Sequence, residues 1–313
     1  MRLKLRSLLI LAAGIVLAAG MVCACGKGTE EDTGGIEEPT PKKEEIPVTE
    51  ISSLRVMSFN ILRGDLQGPD HLWAVRREAC LDMIAQESPM LFGLQECTWT
   101  QRRHILGSNS LLDAVGVAVN GQTKDYTNVS SNPIFWRKDI LTLKEWGTFW
   151  LSDTPDAIGS ITWNGSKPRT CTWARFTVRC TGKNLFYFNA HIENASGEDT
   201  KKKSIALIIE RIKEKNPSWT QPILFGGDLN SAADKNCLKA LFSYLDLASA
   251  TCPETDKGRT LNTFKETGTS VLDHLFFNGS QLKGLKFWVD RNPYKNVTYI
   301  SDHYPIFCEL EFN

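Results

Sequence analysis

The chain lacks an excess of either charge: Lys+Arg and Asp+Glu both number 36, so the formal net charge is zero. A protein that grips long nucleic acid through its phosphates usually carries a basic excess. Extended duplex DNA is therefore disfavoured as a partner, although a basic face inside a neutral average stays open. Nine cysteines are present but no CxxC pair, which argues against a structural zinc site. Seven of them follow Cys25, an odd number, so at least one has no partner within the chain. Small buried thiols are expected, with Cys171 and Cys180 the one pair that adjacent strands could bring together. No internal repeat of solenoid length occurs, and residues 25–50 hold almost no large apolar group. Such a stretch cannot bury enough surface to fold, and it reads as a disordered acidic tether.

What is present begins with an export signal. Arg2, Lys4 and Arg6 precede an apolar run from Leu8 to Ala24, punctuated only by glycine. Residues 1–24 thus read as a signal peptide, with a marginal membrane anchor as the alternative. The segment Val22-Cys23-Ala24-Cys25-Gly26 resembles a bacterial lipobox, in which Cys25 is diacylated and becomes the mature N-terminus. Cys23 fits less well, because Met21 and Val22 are too large for the small-residue positions. Two acyl chains give stable anchoring, so the expected location is extracytoplasmic and membrane-bound. With residues 1–24 removed, 33 basic groups face 36 acidic ones.

Residues 51–313 have the length of one large domain. Alternation predicts a strand at Leu54–Ile61 and short apolar strands at Leu91–Leu94 and Pro133–Arg137. Further strands are expected at Thr172–Cys180, Asn184–Ala190, Pro222–Gly226, Val271–Phe277 and Tyr304–Glu311. Asp70 is placed to cap a helix running to Glu87. A second helix fits Lys201–Lys215, and a third fits Ala232–Leu245 behind a Ser231/Asp234 capping box. Strands succeed one another without helices between them, so a simple doubly wound sheet is disfavoured.

The chemistry-bearing residues share one position, just past a strand end: Asn60, Glu96, His191, Asp228 with Asn230, Asp273, and Asp302 with His303. Each alone has a plain structural reading as a turn residue, a solvated acid or a helix cap. Six strand ends delivering such groups together form a site on a rigid sheet. Mg²⁺ or Mn²⁺ takes oxygen ligands, typically one or two carboxylates with substrate phosphate. Glu96 and Asn60 suit that task, with Asp302 as a supplement. Asp228 can orient or deprotonate water, and Asn230 can donate to a phosphate oxygen. Gly226-Gly227 before it predicts a tight turn. His191 and His303 can stabilise charge or move protons. Which of Asp228 and His303 is the base stays open. Asp273 is the expected orienter of His303.

The blocks Met57-Ser58-Phe59-Asn60-Ile61, Leu94-Gln95-Glu96, Asn189-Ala190-His191, Gly227-Asp228-Leu229-Asn230, Leu272-Asp273-His274 and Ser301-Asp302-His303-Tyr304-Pro305 resemble the ordered signature of the endonuclease/exonuclease/phosphatase superfamily. They span essentially the whole folded unit. The resemblance implies an α/β fold, a four-layer sandwich of two packed mixed sheets flanked by helices. Gly147–Ser152 and Arg169–Ala174 further resemble a bacterial secreted subgroup. There the Arg169 position reaches the site, where a guanidinium would clamp phosphate; a solvated arginine at the strand entry is the plain alternative. Asn132 is a second candidate for the phosphate. Departures from the pattern fall at Glu193, at His274 and at the serines before Asn132, all at the pocket rim, so they bear on substrate. The implied activity is metal-dependent hydrolysis of a phosphate ester by a monomer. Its substrate is a nucleic acid, a lipid head group or a small phosphoester. The alternative is a catalytically inactive membrane-anchored binding protein, which predicts loss of a core site residue.

Overall fold

A computed structural model of the chain describes residues 45–65, 68–194 and 197–313. The signal segment, Cys25 and the tether up to residue 44 lie outside the described residues. Thirteen strands run through the described part: β1 (Leu54–Asn60), β2 (Leu91–Gln95), β3 (Leu112–Val115), β4 (Ile134–Arg137), β5 (Leu141–Trp150), β6 (Thr170–Val178), β7 (Asn184–His191), β8 (Ile223–Asp228), β9 (Asp246–Leu247), β10 (Glu254–Asp256), β11 (Asp273–Phe277), β12 (Leu282–Val289) and β13 (Ile306–Phe312). The helices are α1 (Trp73–Glu87), α2 (Trp99–Ser108), α3 (Glu198–Lys215) and the single turn α4 (Ala248–Thr251). None of them is long and apolar enough to cross a membrane.

The burial of β1 explains the layering. Side chains alternate across a strand. Leu54 and Val56 enter one hydrophobic cluster with Phe176, Leu185 and Leu275, while Met57 and Phe59 enter another with Met83 and Ile105. A third cluster packs Ile205, Ile208 and Ile212 of α3 on Phe186, Phe188 and Phe225. Three apolar interfaces make four layers, helix–sheet–sheet–helix. Each such side chain contributes on the order of 1.5–3 kcal/mol on burial. One sheet has seven strands in the order β10-β12-β13-β1-β2-β4-β3, and the other has six, β5-β6-β7-β8-β11-β9. The four-layer sandwich implied by the sequence is thus the observed fold.

At the centre of each sheet lies a parallel pair, β1/β2 or β7/β8, with an antiparallel strand alongside, β13 or β11. Register aligns Asn60 with Gln95, His191 with Asp228, and Asp273 with Asp228. The C-terminal ends of β1 and β2 therefore share a rim with the approach to β13. In the other sheet the ends of β7 and β8 share one with the start of β11.

Local expectations fail where tertiary contacts decide. Asp70 caps nothing: Pro69–His71 form a 3-10 turn, and α1 begins at Trp73 after Leu72. The fully buried Arg76 donates to the carbonyls of His71, Ile61, Leu62 and Ile300, which sets the path of that loop. The helix expected at Ala232–Leu245 is a 3-10 helix over Asn236–Ser243, with no Ser231/Asp234 capping box. Ser231 instead gives its carbonyl to His274 Nε2, at 2.8 Å. The tether ends earlier than expected. Thr49 bonds Asp139 through its amide (3.1 Å) and hydroxyl (2.6 Å), and Arg179 donates to the carbonyls of Ile46 and Pro47. Cys171 lies inside β6 beside Ala190, while Cys180 lies beyond its end, so the two do not face each other; both are free thiols.

Candidate active site

A polar floor separates the apolar inter-sheet layer from the rim. Gln95 Nε2 donates to Asn189 Oδ1 at 2.7 Å and to Ser58 Oγ at 3.1 Å. Asn189 Nδ2 donates to the carbonyls of Leu94 and Pro133. These bonds tie one sheet to the other, each with a net value of about 1 kcal/mol. Gly93 permits the approach, because a Cβ there would lie 2.5 Å from Asn189 Cγ. Sequence reasoning missed this floor, since Ser, Gln and Asn inside strands carry no positional signal of their own.

Above the floor sits Asp228. The strand does not turn at Gly226-Gly227 as expected but continues through Asp228. Gly227 has φ +143°, and a Cβ there would meet the Ala190 carbonyl oxygen at 1.8 Å, so glycine lets β7 and β8 close up. Asp228 Oδ2 accepts from Asn60 Nδ2 at 3.0 Å, and Oδ1 accepts from the Asn230 amide at 3.0 Å. His191 Nε2 lies 3.4 Å and His303 Nε2 3.8 Å from Oδ2. Burial raises the carboxyl to about 6; the neighbouring Asp273 adds to this, while His303 opposes it. His191 is held neutral by burial and by the positive charges of Arg169, His303 and Lys167.

His303 Nδ1 meets Asp273 Oδ2 at 2.8 Å, the partnership expected from sequence. Burial disfavours the charged ring, but Asp273, Asp228 and Asp302 together raise it to about 10. Asp228, Asp273 and His303 lie close enough to suggest a metal cluster. Their contacts favour a proton network instead: His303 Nδ1 is engaged with Asp273 Oδ2 at 2.8 Å, and its Nε2 faces Asp228 Oδ2 at 3.8 Å. His274 points away, as the next residue along β11 must.

The oxygen-rich corner is at Glu96 and Asp302. Glu96 takes φ +60°, a strained value for a non-glycine residue that persists where structure over-determines it. Asp302 is raised by burial and by the like charge of Glu96. Two neighbouring carboxylates, with the Asn60 carboxamide beside Asp228, form a donor set that suits a hard divalent cation.

The remaining candidates behave differently from one another. Arg169 is nearly buried; Nη2 donates to Asn194 Oδ1 at 3.2 Å and lies 3.6 Å from Glu193 Oε1, while its Nε has no partner. Asn132 was expected to donate to phosphate. Its Nδ2 instead donates to both the carbonyl and the hydroxyl of Thr170, each at 2.9 Å, so it braces the strand behind Arg169. Asn230, in a left-handed conformation, donates through Nδ2 to the Ile192 carbonyl. Glu193, noted only as a departure, anchors the Lys167–Arg169 loop by accepting from the amide and hydroxyl of Ser166. Beside Glu96 and His191 opens a cleft of about 240 Å³ that also takes in Arg63, Lys167 and Arg169. A second cavity, about 610 Å³, flanks Asn230 with Lys201 and Lys235.

The family model described as "Endonuclease/Exonuclease/phosphatase family" matches residues 57–303. An endonuclease/exonuclease/phosphatase from Bacteroides vulgatus superposes with a TM-score of 0.76 at 25% identity, over 84% of this chain and 100% of that one. A mannosyl-6-phosphatase from Bacteroides thetaiotaomicron does so at 0.75 and 28% identity, over 83% and 100%. The human Nocturnin catalytic domain, at 0.67 and 16% identity over 84% and 94%, shares the fold. No curated protein matches the chain in sequence.

Proposed function

This chain belongs to the endonuclease/exonuclease/phosphatase family, and on that premise we propose that it is a divalent-metal-dependent phosphoesterase acting outside the cytoplasm. The observation that carries the reading is the setting of Asp228, oriented by Asn60 and the Asn230 amide and flanked by two imidazoles. A carboxylate so held takes the proton of an attacking water. His303, bracketed by Asp273 and Asp228, acts as a cation that balances charge growing on the phosphoryl oxygens. Neutral His191 donates a hydrogen bond at the same place, and Arg169 supplies a guanidinium for the phosphate. Glu96 and Asp302, helped by Asn60, would hold Mg²⁺ or Mn²⁺. When bound, the ion would supply electrostatic stabilisation of the transferred group and the leaving oxygen.

A small phosphoester is the favoured substrate class. The neutral charge balance argues against long nucleic acid, and one structural neighbour is named as a mannosyl-6-phosphatase. An inactive binding protein is disfavoured, because every catalytic and metal position read from the sequence is filled and the acid–base groups converge.

Hydrolysis of a phosphoester panel is expected to stop with a chelator and return with Mg²⁺ or Mn²⁺. Glu96→Gln, which keeps shape but removes charge, should weaken metal binding at least tenfold in calorimetry. Unchanged binding by that variant would refute the metal assignment. The lipobox-like Cys25 motivates the location. Cys25→Ser should release the protein from membranes or block its maturation; a variant processed and fractionated like the parent overturns the lipoprotein reading.

A further inference from the structure

We infer that the cleft beside Glu96 receives the alcohol side of the substrate, and that this alcohol is small and polyhydroxylated. The inference rests on the phosphoesterase reading and adds the identity of the leaving group to it. Its first step is direction. Displacement at phosphorus runs in line, with nucleophile and leaving group on opposite faces. The groups that act on water, Asp228 and His303, do not line the cleft, whereas Glu96 and His191 do. As the water oxygen bonds phosphorus and gives its proton to Asp228, the ester P–O bond breaks with its electron pair on the leaving oxygen. That oxygen therefore departs toward Glu96, takes a proton from solvent water in the open cleft, and carries the remainder of the alcohol into the space beyond.

The second step is size. The cleft holds about 240 Å³, below the roughly 300–1,000 Å³ typical of drug-sized ligands. Its walls are pinned. Trp150 Nε1 holds the Val119 carbonyl at 2.7 Å, the Cys97 and Ser131 backbones pair, and Glu193 holds Ser166. A pocket so bounded takes about one ring and stops a continuing polymer.

The third step is chemistry. No Phe, Tyr or Trp lines the cleft, and its one ring, the buried His191 imidazole, already faces Asp228 at 3.4 Å, so a nucleobase finds no free stacking platform of the kind that single-strand binders use. The lining instead presents Asn128, Ser130 and Lys167, whose side chains make no hydrogen bond to the described residues, beside Arg63 and Arg169. Unoccupied donors and acceptors around a ring-sized space match several hydroxyls of one sugar-like alcohol.

The test uses the full-length protein with Mg²⁺ and four esters: a hexose 6-phosphate, p-nitrophenyl phosphate, a nucleoside 5′-monophosphate and a short single-stranded oligonucleotide. The hexose phosphate is expected to have the highest kcat/KM. Lys167→Ala and Asn128→Ala should each lower its kcat/KM relative to that of p-nitrophenyl phosphate, which offers no aliphatic hydroxyl, by about tenfold, mainly through KM. Lys235→Ala, in the cavity beyond Asn230, should leave that ratio within about twofold. A parent that hydrolyses these esters while the Lys167 and Asn128 variants keep the ratio overturns the cleft assignment alone. So does a ratio that moves with Lys235→Ala instead. Preference for the nucleotide or oligonucleotide overturns the polyhydroxylated alcohol. A parent inactive on every ester takes down both this inference and the phosphoesterase reading.

Discussion

Asp228→Asn is expected to lower kcat by a factor on the order of 10²–10⁴ while the protein melts at pH 7 at a temperature at or above that of the parent. The carboxamide keeps the shape of the side chain, so the Asn60 and Asn230 contacts lose one favourable polarity but little volume. What disappears is the group that accepts the proton in the proposed mechanism. A base of pKa about 6 is ionised at neutral pH yet basic enough to take a proton from water in the transition state. Stability moves the other way from activity. Because the folded carboxyl is raised from 3.8 to about 6, its contribution to folding is fully present below 3.8 and lost as pH rises through 6. At pH 7 the buried carboxylate thus opposes folding, and the neutral amide removes that opposition. Steady-state kinetics on the best ester and calorimetric melting at pH 7 check both halves. Near-parental turnover would show that another group takes the proton.

The legible part of this protein was what a strand or a motif displays locally. The apolar isoleucines of α3 at helical spacing marked a helix, and β1, β2 and β7 were placed nearly to the residue. The meeting of Asp228, Asp273 and His303 was legible because the ends of parallel strands and the starts of antiparallel ones must share a rim. Asp273 could thus be matched with His303 across thirty positions. Other features were set by distant packing. β5 and β12 were missed: β5 carries an irregular pattern with a register shift between Leu143 and Glu145, and β12 one between Gly284 and Lys286. The helix expected after Ser231 had the right apolar residues, Leu238 and Leu241, but they are buried by a tighter 3-10 turn against α3. α2 was overlooked although its signal stood in the sequence, since Thr98 and Gln101 form a reciprocal capping box. Asn132 does line the cleft beside Glu96 and Arg169, but its amide nitrogen is taken by Thr170, and a carboxamide at a strand entry carries no mark that says which partner its donor will find.

His303→Ala should lower kcat by a comparable factor, on the order of 10²–10⁴, but for the opposite electrical reason and with a different effect on folding. The ring stands between Asp273 at 2.8 Å and Asp228 at 3.8 Å, and these carboxylates outweigh burial to raise it to about 10. Over the neutral range it is a cation, which in the proposed mechanism balances phosphoryl charge and leaves the proton of water to Asp228. Deleting it strands the Asp273 carboxylate, whose Oδ1 already has no partner. Breaking a buried pair in this way costs about 3–5 kcal/mol, within the roughly 5–15 kcal/mol that holds a domain folded. The melting temperature should therefore drop, in contrast to Asp228→Asn. Asp273→Asn tests the orienting role: it should lower kcat less than His303→Ala, because Asp273 acts through the ring. The linkage gives a second readout in chelated protein. A group raised from 6.5 to about 10 contributes stability that is complete below 6.5 and lost as pH rises through 10. Parent melting should fall across that window, and Asp273→Asn should flatten the fall. The Asp228→Asn/His303→Ala pair should lose less than the product of the single effects, since both groups serve one transition state. A fully multiplicative loss, or a parent melting curve that is flat between pH 6.5 and 10, would separate the two residues and undo the shared proton network.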